Sequence, residues 1–214
     1  MKKRRKKGFV LLITGLLCLC AGILIIVCDQ RKESAFGVLN DELLLQIPYE
    51  ELPEDALYIT EGRRLYQRGK MTLIIPSIDV YTPVGESTVA DGLKEMPGLY
   101  EFSQLPAPGD VNVSIAGHRD IYDMVFYCLD QIQSGDYLYL LYDGLVYRYL
   151  YQDTVIVAPD EWSVIRPQGY SCLTLTTCDP IGTALRRMIV TGELMDYQLF
   201  DAQYQFISNN ATSP

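Results

Sequence analysis

The 214-residue chain contains one histidine, His118, and six cysteines. A thiol becomes an effective nucleophile when a base or a positive charge favours its thiolate, and a developing oxyanion needs a donor held nearby. Cys18, Cys20 and Cys28 lie in one apolar run near the start of the chain, which leaves Cys128, Cys172 and Cys178 beyond it. Three thiols cannot all pair with one another, so at least one stays free. Cys128, set in Val-Phe-Tyr-Cys-Leu, reads as a small buried hydrophobe. Cys178 ends the run Cys-Leu-Thr-Leu-Thr-Thr-Cys and His118 ends Val-Asn-Val-Ser-Ile-Ala-Gly-His. Each sits where a strand gives way to a loop, the place where rigid scaffolds present reactive side chains.

Alternation along a strand puts Leu173, Leu175 and Thr177 on one face and Cys172, Thr174, Thr176 and Cys178 on the other, so Cys178 leaves the leucine face. In Arg-Arg-Met-Ile-Val-Thr-Gly, Met188 and Val190 mark the core side, which turns Arg187 toward the opposite side. Arg187 is therefore the expected partner of the thiol, in preference to Arg186, because a guanidinium that never loses its proton suits an oxyanion. Thr177 is a supporting residue beside Cys178, with packing as its other reading. A zinc site built from Cys128, Cys172, Cys178 and His118 lacks the close cysteine pairs of usual sites, so neither metal nor cofactor is expected. Cys172 and Cys178 would stand about 20 Å apart along an extended strand, too far for a disulfide; pairing of Cys128 with Cys172 stays open.

The elements that must position these groups read as mainly β. From Met71 onward, short runs rich in Ile, Val, Tyr and Thr alternate with Gly, Pro and Asp, the pattern of an all-β barrel or sandwich. Expected strands cover Met71 to Ile75, Asp79 to Thr82, Asn112 to Gly117, Asp136 to Tyr142, Leu145 to Tyr151, Thr154 to Val157, Cys172 to Thr177 and Arg187 to Thr191. Asp143-Gly144 predicts a tight hairpin turn. Short helices are expected at Thr88 to Leu93 and Asp123 to Ile132, with a further one at Asp41 to Leu45.

Residues 9–28 carry no charge and no proline, enough for one bilayer crossing, and six Lys and Arg precede them. A cleavable signal peptide would have a shorter apolar core and small residues before the cut, whereas Ile25, Ile26 and Val27 precede Cys28. The expectation is a cytoplasmic basic segment (1–8), an uncleaved transmembrane anchor (9–28), a linker or N-terminal cover (29–69), a catalytic β-domain (70–197) and a tail (198–214) that looks frayed beyond Phe200. The basic residues hold the amino terminus in the cytoplasm and place the rest outside. That outer part keeps 12 basic against 27 acidic residues, about −15, so nucleic acid is a poor partner. Asn210-Ala211-Thr212 is a glycosylation sequon only in a eukaryotic secretory setting.

Ala-Gly-His-Arg (Ala116 to Arg119), Thr-Leu-Thr-Thr-Cys (Thr174 to Cys178) and an arginine nine residues after the cysteine, in that order, resemble the motifs of the sortases, membrane-anchored cysteine transpeptidases of Gram-positive bacteria. Ile75 to Val84 is similar to that family's opening strand pair, and the resemblance covers about residues 71–194. It implies a closed eight-stranded β-barrel with Cys178, His118 and Arg187 at one end of a peptide groove. It further implies that Cys178 attacks the Thr-Gly bond of an LPxTG-like sorting signal, that His118 protonates the leaving amine, and that Arg187 steadies the oxyanion or the bound peptide. Partners would be secreted proteins bearing a sorting signal and an amine from a cell-wall precursor or a pilin. Residues 29–69 hold no Asp-Pro-aromatic motif and no second apolar span follows Leu194, so attachment to the wall is expected rather than pilus assembly. The alternatives are a thiol hydrolase without transfer and an inactive, membrane-tethered binding module.

Overall fold

The structure is a computed structural model that describes residues 61–208, apart from 89 and 202. The basic segment, the 9–28 anchor, the helix expected at Asp41 to Leu45, residues 29–60 of the linker and the sequon lie outside the described residues. Among the described residues no helix is long and apolar enough to cross a membrane.

Eight strands make the domain: β1 (Met71–Ile75), β2 (Val80–Val84), β3 (Gly98–Leu99), β4 (Asn112–Ala116), β5 (Tyr137–Tyr142), β6 (Leu145–Val157), β7 (Cys172–Asp179) and β8 (Arg186–Leu199). Two four-residue helices accompany them, α1 (Glu61–Arg64) and α2 (Ala90–Leu93). The strand order is β2-β1-β5-β6-β8-β7-β4-β3. The two edge strands then meet: Gly85 N–H donates to the Pro97 carbonyl at 2.8 Å and Leu99 N–H to the Gly85 carbonyl at 3.0 Å. This bridge all but closes the sheet into a barrel and removes the exposed edges that would invite pairing with other chains. It requires a glycine at position 98, because a Cβ there would lie 2.0 Å from the Ser87 carbonyl oxygen.

Local sequence accounts for the turns. Pro76 withholds the donor that would continue β1. A single 3-10 turn (Pro76–Ile78) then leads to Asp79 in the left-handed region at φ 58°, so Ile75 pairs with Val80. Asp143 and Gly144 both have positive φ, 51° and 74°, the signature of a two-residue type I′ hairpin whose twist matches its strands. The barrel is filled by inward residues at period two, among them Met71, Leu73, Ile75, Val113, Ile115, Leu138, Leu140, Leu173, Leu175, Met188 and Val190. Each such side chain contributes roughly 1.5–3 kcal/mol by leaving water.

Four expectations are corrected. Leu145 to Tyr151 and Thr154 to Val157 are one strand, β6, whose pairing with β8 shifts register between Tyr151 and Asp153. The two-residue β3 was not expected, and it restores the count of eight. The segment Asp123 to Ile132 is not an α-helix. Its apolar spacing is real, since Phe126, Leu129 and Ile132 are buried, but Tyr127, Leu129 and Gln131 N–H groups bond three residues back, to Met124, Phe126 and Cys128 carbonyls. Phe126 N–H is spent on the His118 carbonyl, and Tyr122 and Met124 hold positive φ, which no α-helix allows. The helix expected at Thr88 to Leu93 shrinks to α2.

The tail also departs from a frayed end. Tyr204 and Phe206 pack on the outer face of β5 against Tyr139, with ring centroids 6.2 and 5.1 Å away, and Ile207 N–H donates to the Tyr139 hydroxyl at 3.0 Å. At the other end, buried Arg63 of α1 donates to the Glu86 and Tyr100 carbonyls at 2.9 and 2.7 Å, so residues just before β1 are tied to the barrel.

Candidate active site

Strand register, rather than proximity in sequence, assembles the site. β4 and β7 run parallel with Asn112 opposite Cys172 and Ala116 opposite Thr176. Gly117 N–H continues the ladder to the Thr176 carbonyl at 3.1 Å, and the same offset of 60 residues, carried one step past Gly117, would set His118 level with Cys178. On the other side, antiparallel β8 sets Arg187 directly opposite Cys178. Alternation holds on all three strands: Val113, Ile115, Leu173, Leu175, Met188 and Val190 fill the barrel, which directs Cys178 and Arg187 to the other face.

Two residues tighten the link between the histidine and cysteine strands. Thr177 Oγ1 donates to the Gly117 carbonyl at 2.8 Å inside the protein, so Thr177 faces the core and ties β7 to the residue before His118. Gly117 must be glycine, since a Cβ there would fall 2.8 Å from two ring carbons of Phe126. The outer face of β4 and β7 is walled by the loop after β6. Asn112 Nδ2 donates to the Val164 and Arg166 carbonyls at 3.0 and 2.8 Å, and Ser114 Oγ to the Ile165 carbonyl at 3.3 Å. Ala116 packs there with Leu93, Tyr100 and Ile165.

The three groups are strongly desolvated, with 2 % of Cys178, 1 % of His118 and 3 % of Arg187 exposed. Burial pushes the Cys178 thiol up to about 11, against the pull of Arg187 and Arg119, with Asp120 adding to the rise. Burial also pushes the His118 imidazole down to about 4, aided by the positive charge of Lys94. At neutral pH the resting pair is thus a thiol and a neutral imidazole. Proton transfer from the thiol to the imidazole would create opposite charges, each of which favours the other. The His118 ring leans on Tyr122, centroids 4.9 Å apart and planes 51° inclined, and Lys94 Nζ lies 5.7 Å from the Tyr122 ring centre.

Arg187 Nη1 is fixed by the Ala184 and Arg186 carbonyls at 3.1 and 3.0 Å. Its Nη2 is buried and has no hydrogen-bond partner among the described residues, a donor ready for an oxygen that arrives with substrate. Arg186 points away; half-exposed, it bonds Asp179 at 2.9 Å. Cys172 stands at the far end of β7, six residues from Cys178, and Cys128 lies in the loop before β5; none of the three is in a disulfide.

Sequence reasoning missed four residues of this region. Tyr100, 2 % exposed, sits beside Thr176, and its phenol is pushed up to about 12 by burial, within the fields of Arg187 and Cys178. Tyr122 caps the imidazole. Arg119 and Asp179 form a buried ion pair at 2.8 Å. The last two had a legible signal: they are the residues that follow His118 and Cys178, and two groups level on parallel strands are followed by two more that are level.

Known proteins resemble this chain in sequence and fold. Residues 73–195 match the family described as the Sortase domain. Sortase D of Bacillus subtilis is 35 % identical over 125 residues, which cover 56 % of this chain and 61 % of that protein. Sortase A of Bacillus anthracis is 28 % identical over 122 residues, covering 56 % and 57 %. The chain thus spans about three fifths of the length of these relatives. Among solved structures, sortase E1 from Streptomyces coelicolor with a tripeptide in its active site superposes with a TM-score of 0.58 at 26 % identity, over 63 % of this chain and 94 % of that one. A near-closed eight-stranded barrel, a strand-end cysteine with a level histidine and an opposed arginine, and a domain match over more than half of its length place this chain in the sortase family.

Proposed function

We propose that this protein is a cysteine transpeptidase that cleaves an LPxTG-like sorting signal and joins the acyl part to an amine at the cell surface. The observation that carries the reading is the double register at β7: the parallel pairing with β4, whose last pair Ala116 and Thr176 lies two residues before His118 and Cys178, and Arg187 opposite Cys178 on the other side. Cys178 Sγ, its proton passed to His118, attacks the Thr carbonyl of the Thr-Gly bond. The oxygen that turns negative is met by the Arg187 Nη2 donor, which is already oriented and already dehydrated. The imidazolium gives its proton to the departing glycine amine, leaving a thioester. An incoming amine loses a proton to His118, attacks the thioester and restores the thiol, with water as the slower acceptor. The wall formed by Val164 to Arg166 and Tyr100 borders the face on which the peptide would lie.

Residues 9–28 would hold the enzyme in the membrane with its barrel outside. Substrates would then be secreted proteins with a carboxy-terminal sorting signal, and the acceptor an amine of a cell-wall precursor, or of a pilin. Incubating the full chain, purified in detergent, with a sorting peptide and a competing amine, then weighing the products, tests both steps. The expected products are the Thr-amine conjugate and free glycine peptide. Hydrolysed peptide alone at saturating amine would make it an endopeptidase, and full product from Cys178→Ala would remove the enzyme reading altogether.

A further inference from the structure

The ladder that aligns β4 with β7 ends at Gly117, one residue before the histidine. The spacing of His118 from Cys178 must be held by something beyond that last rung. Phe126 N–H on the His118 carbonyl is one restraint, at 3.1 Å, but it fixes the histidine to its own loop, not to the cysteine strand. The residue that crosses between the strands is Arg119. Its side chain is 4 % exposed, and its Nη1 lies 2.8 Å from Asp179 Oδ1 and 3.4 Å from the Cys178 carbonyl oxygen, while Nη2 lies 3.3 Å from Asp130 Oδ2. One planar guanidinium, covalently next to the histidine, thus grips the main chain of the cysteine and the side chain after it.

We propose that Arg119 and Asp179 are a positioning pair that sets the imidazole against the thiol and keeps a positive charge beside the sulfur. The role is separate from that of Arg187, which lies across the opposite strand. Asp179 is shared: its other oxygen accepts from Arg186 at 2.9 Å. Asp120 reinforces the same juncture by accepting from Gly182 N–H, so the loops after His118 and after Cys178 are bound at two points. A fork that reaches a carbonyl and two carboxylates at once is a task for arginine and not for lysine, whose ammonium is a single point. Removing one partner of a buried pair leaves the other charge uncompensated, which displaces the loops as well as the charge.

This inference rests on the acyl-transfer reading for one of its two measurements. The first is steady-state turnover of the full chain with a sorting peptide. Arg119→Gln and Asp179→Asn should each lower kcat by a factor on the order of a hundred, the cost of a misplacement of about 1 Å, with KM nearly unchanged. The double variant should be no worse than the worse single, and Arg119→Lys should fall between wild type and Arg119→Gln. The second needs no substrate: the rate of Cys178 carboxamidomethylation by iodoacetamide against pH, followed on its own peptide by mass spectrometry. Both variants should shift that profile to higher pH, and thermal melts run alongside separate this from unfolding. Singles that retain wild-type kcat and profile, losses that multiply in the double variant, or losses that vanish at a temperature where the variants are fully folded would each overturn the pairing. A wild-type chain that makes no acyl-enzyme would instead sink the transpeptidase reading, and the alkylation profile would still decide the role of Arg119 and Asp179.

Discussion

Two thiols on the same face of β7, six residues apart, are almost equally buried, yet only one of them has an arginine directly opposite it. Cys172 is fully enclosed, and its thiol is pushed up to about 12 by burial, with Asp110 and Glu193 adding negative charge. Cys178 is just as dry, and burial raises its thiol too, to about 11, but Arg187 and Arg119 act against the rise. The difference teaches that a place at a strand terminus is not enough: both sulfurs have one, and what separates them is the sign of the charged side chains that reach them, Arg187 and Arg119 at one end and Asp110 and Glu193 at the other. Burial alone makes an inert cysteine; burial with an oriented cation and a level imidazole makes a nucleophile in waiting.

The strongest way to break this comparison is to exchange the two thiols for alanine. Cys178→Ala should cost at least about 10⁴-fold in turnover, as loss of a covalent nucleophile does. Cys172→Ala should leave kcat and KM within about twofold and lower stability by about 1–2 kcal/mol for the small cavity it opens. Comparable activity losses would erase the distinction. Next in size is the cation opposite Cys178. Arg187→Lys should lower kcat about a hundredfold, the usual consequence of removing one oxyanion donor, whereas Arg186→Lys should change it by less than about threefold, since that half-exposed side chain meets the Asp179 carboxylate, which a lysine can also do, and not the sulfur. Equal effects in a kinetic assay would show that the choice between the two arginines is wrong.

A smaller effect concerns pH and rate. Because the thiol is raised to about 11 and the imidazole lowered to about 4, the form with one shared proton prevails between those values. The active thiolate-imidazolium pair is a constant minor fraction of it. The pH dependence of kcat/KM should therefore be a broad plateau that rises through the lower apparent pKa of the pair and falls through the upper one. A narrow bell centred near neutrality would contradict it. The smallest effect is on stability. His118 binds its proton less readily folded than unfolded, so it contributes a decline in melting temperature as pH falls from about 6.5 to about 4, against the opposite contribution of Asp123, whose carboxyl burial raises to about 6. His118→Gln should flatten the decline. Both thiols, raised on folding, should lower stability only as pH climbs beyond the ordinary thiol range, Cys172 no less than Cys178.

Much of the site was readable because its signals are local and periodic. The alternation that removed Cys178 from the leucine face, and Arg187 from the side of Met188 and Val190, depends only on the two-residue repeat of a strand. Met71 to Ile75 and the Asp143-Gly144 turn were readable for the same reason. What stayed hidden depends on partners distant in sequence. β3 is two residues long and exists only because Gly85 and Ala116 flank it. The apolar spacing of Phe126, Leu129 and Ile132 mimics a helix, but buried partners impose successive tight turns. The aromatic tail looked frayed because its order comes from Tyr139, far back in the chain. Arg119 and Asp179 were visible as neighbours of the reactive residues, but their pairing required the parallel register itself.

That register has a consequence for how such a protein can vary. Every paired position on β4 and β7 differs by a constant 60 residues, from Asn112 and Cys172 to Ala116 and Thr176. Residues gained or lost in the connections between them would change that number without moving the two strands against each other, so the intervening loops are open to grafting and diversification. A single residue inserted within either strand would send His118 or Cys178 to the opposite face. The chemistry is therefore robust to remodelling of its surroundings and intolerant of one-step slippage at its centre, a useful division for anyone wishing to redirect the barrel to a new peptide.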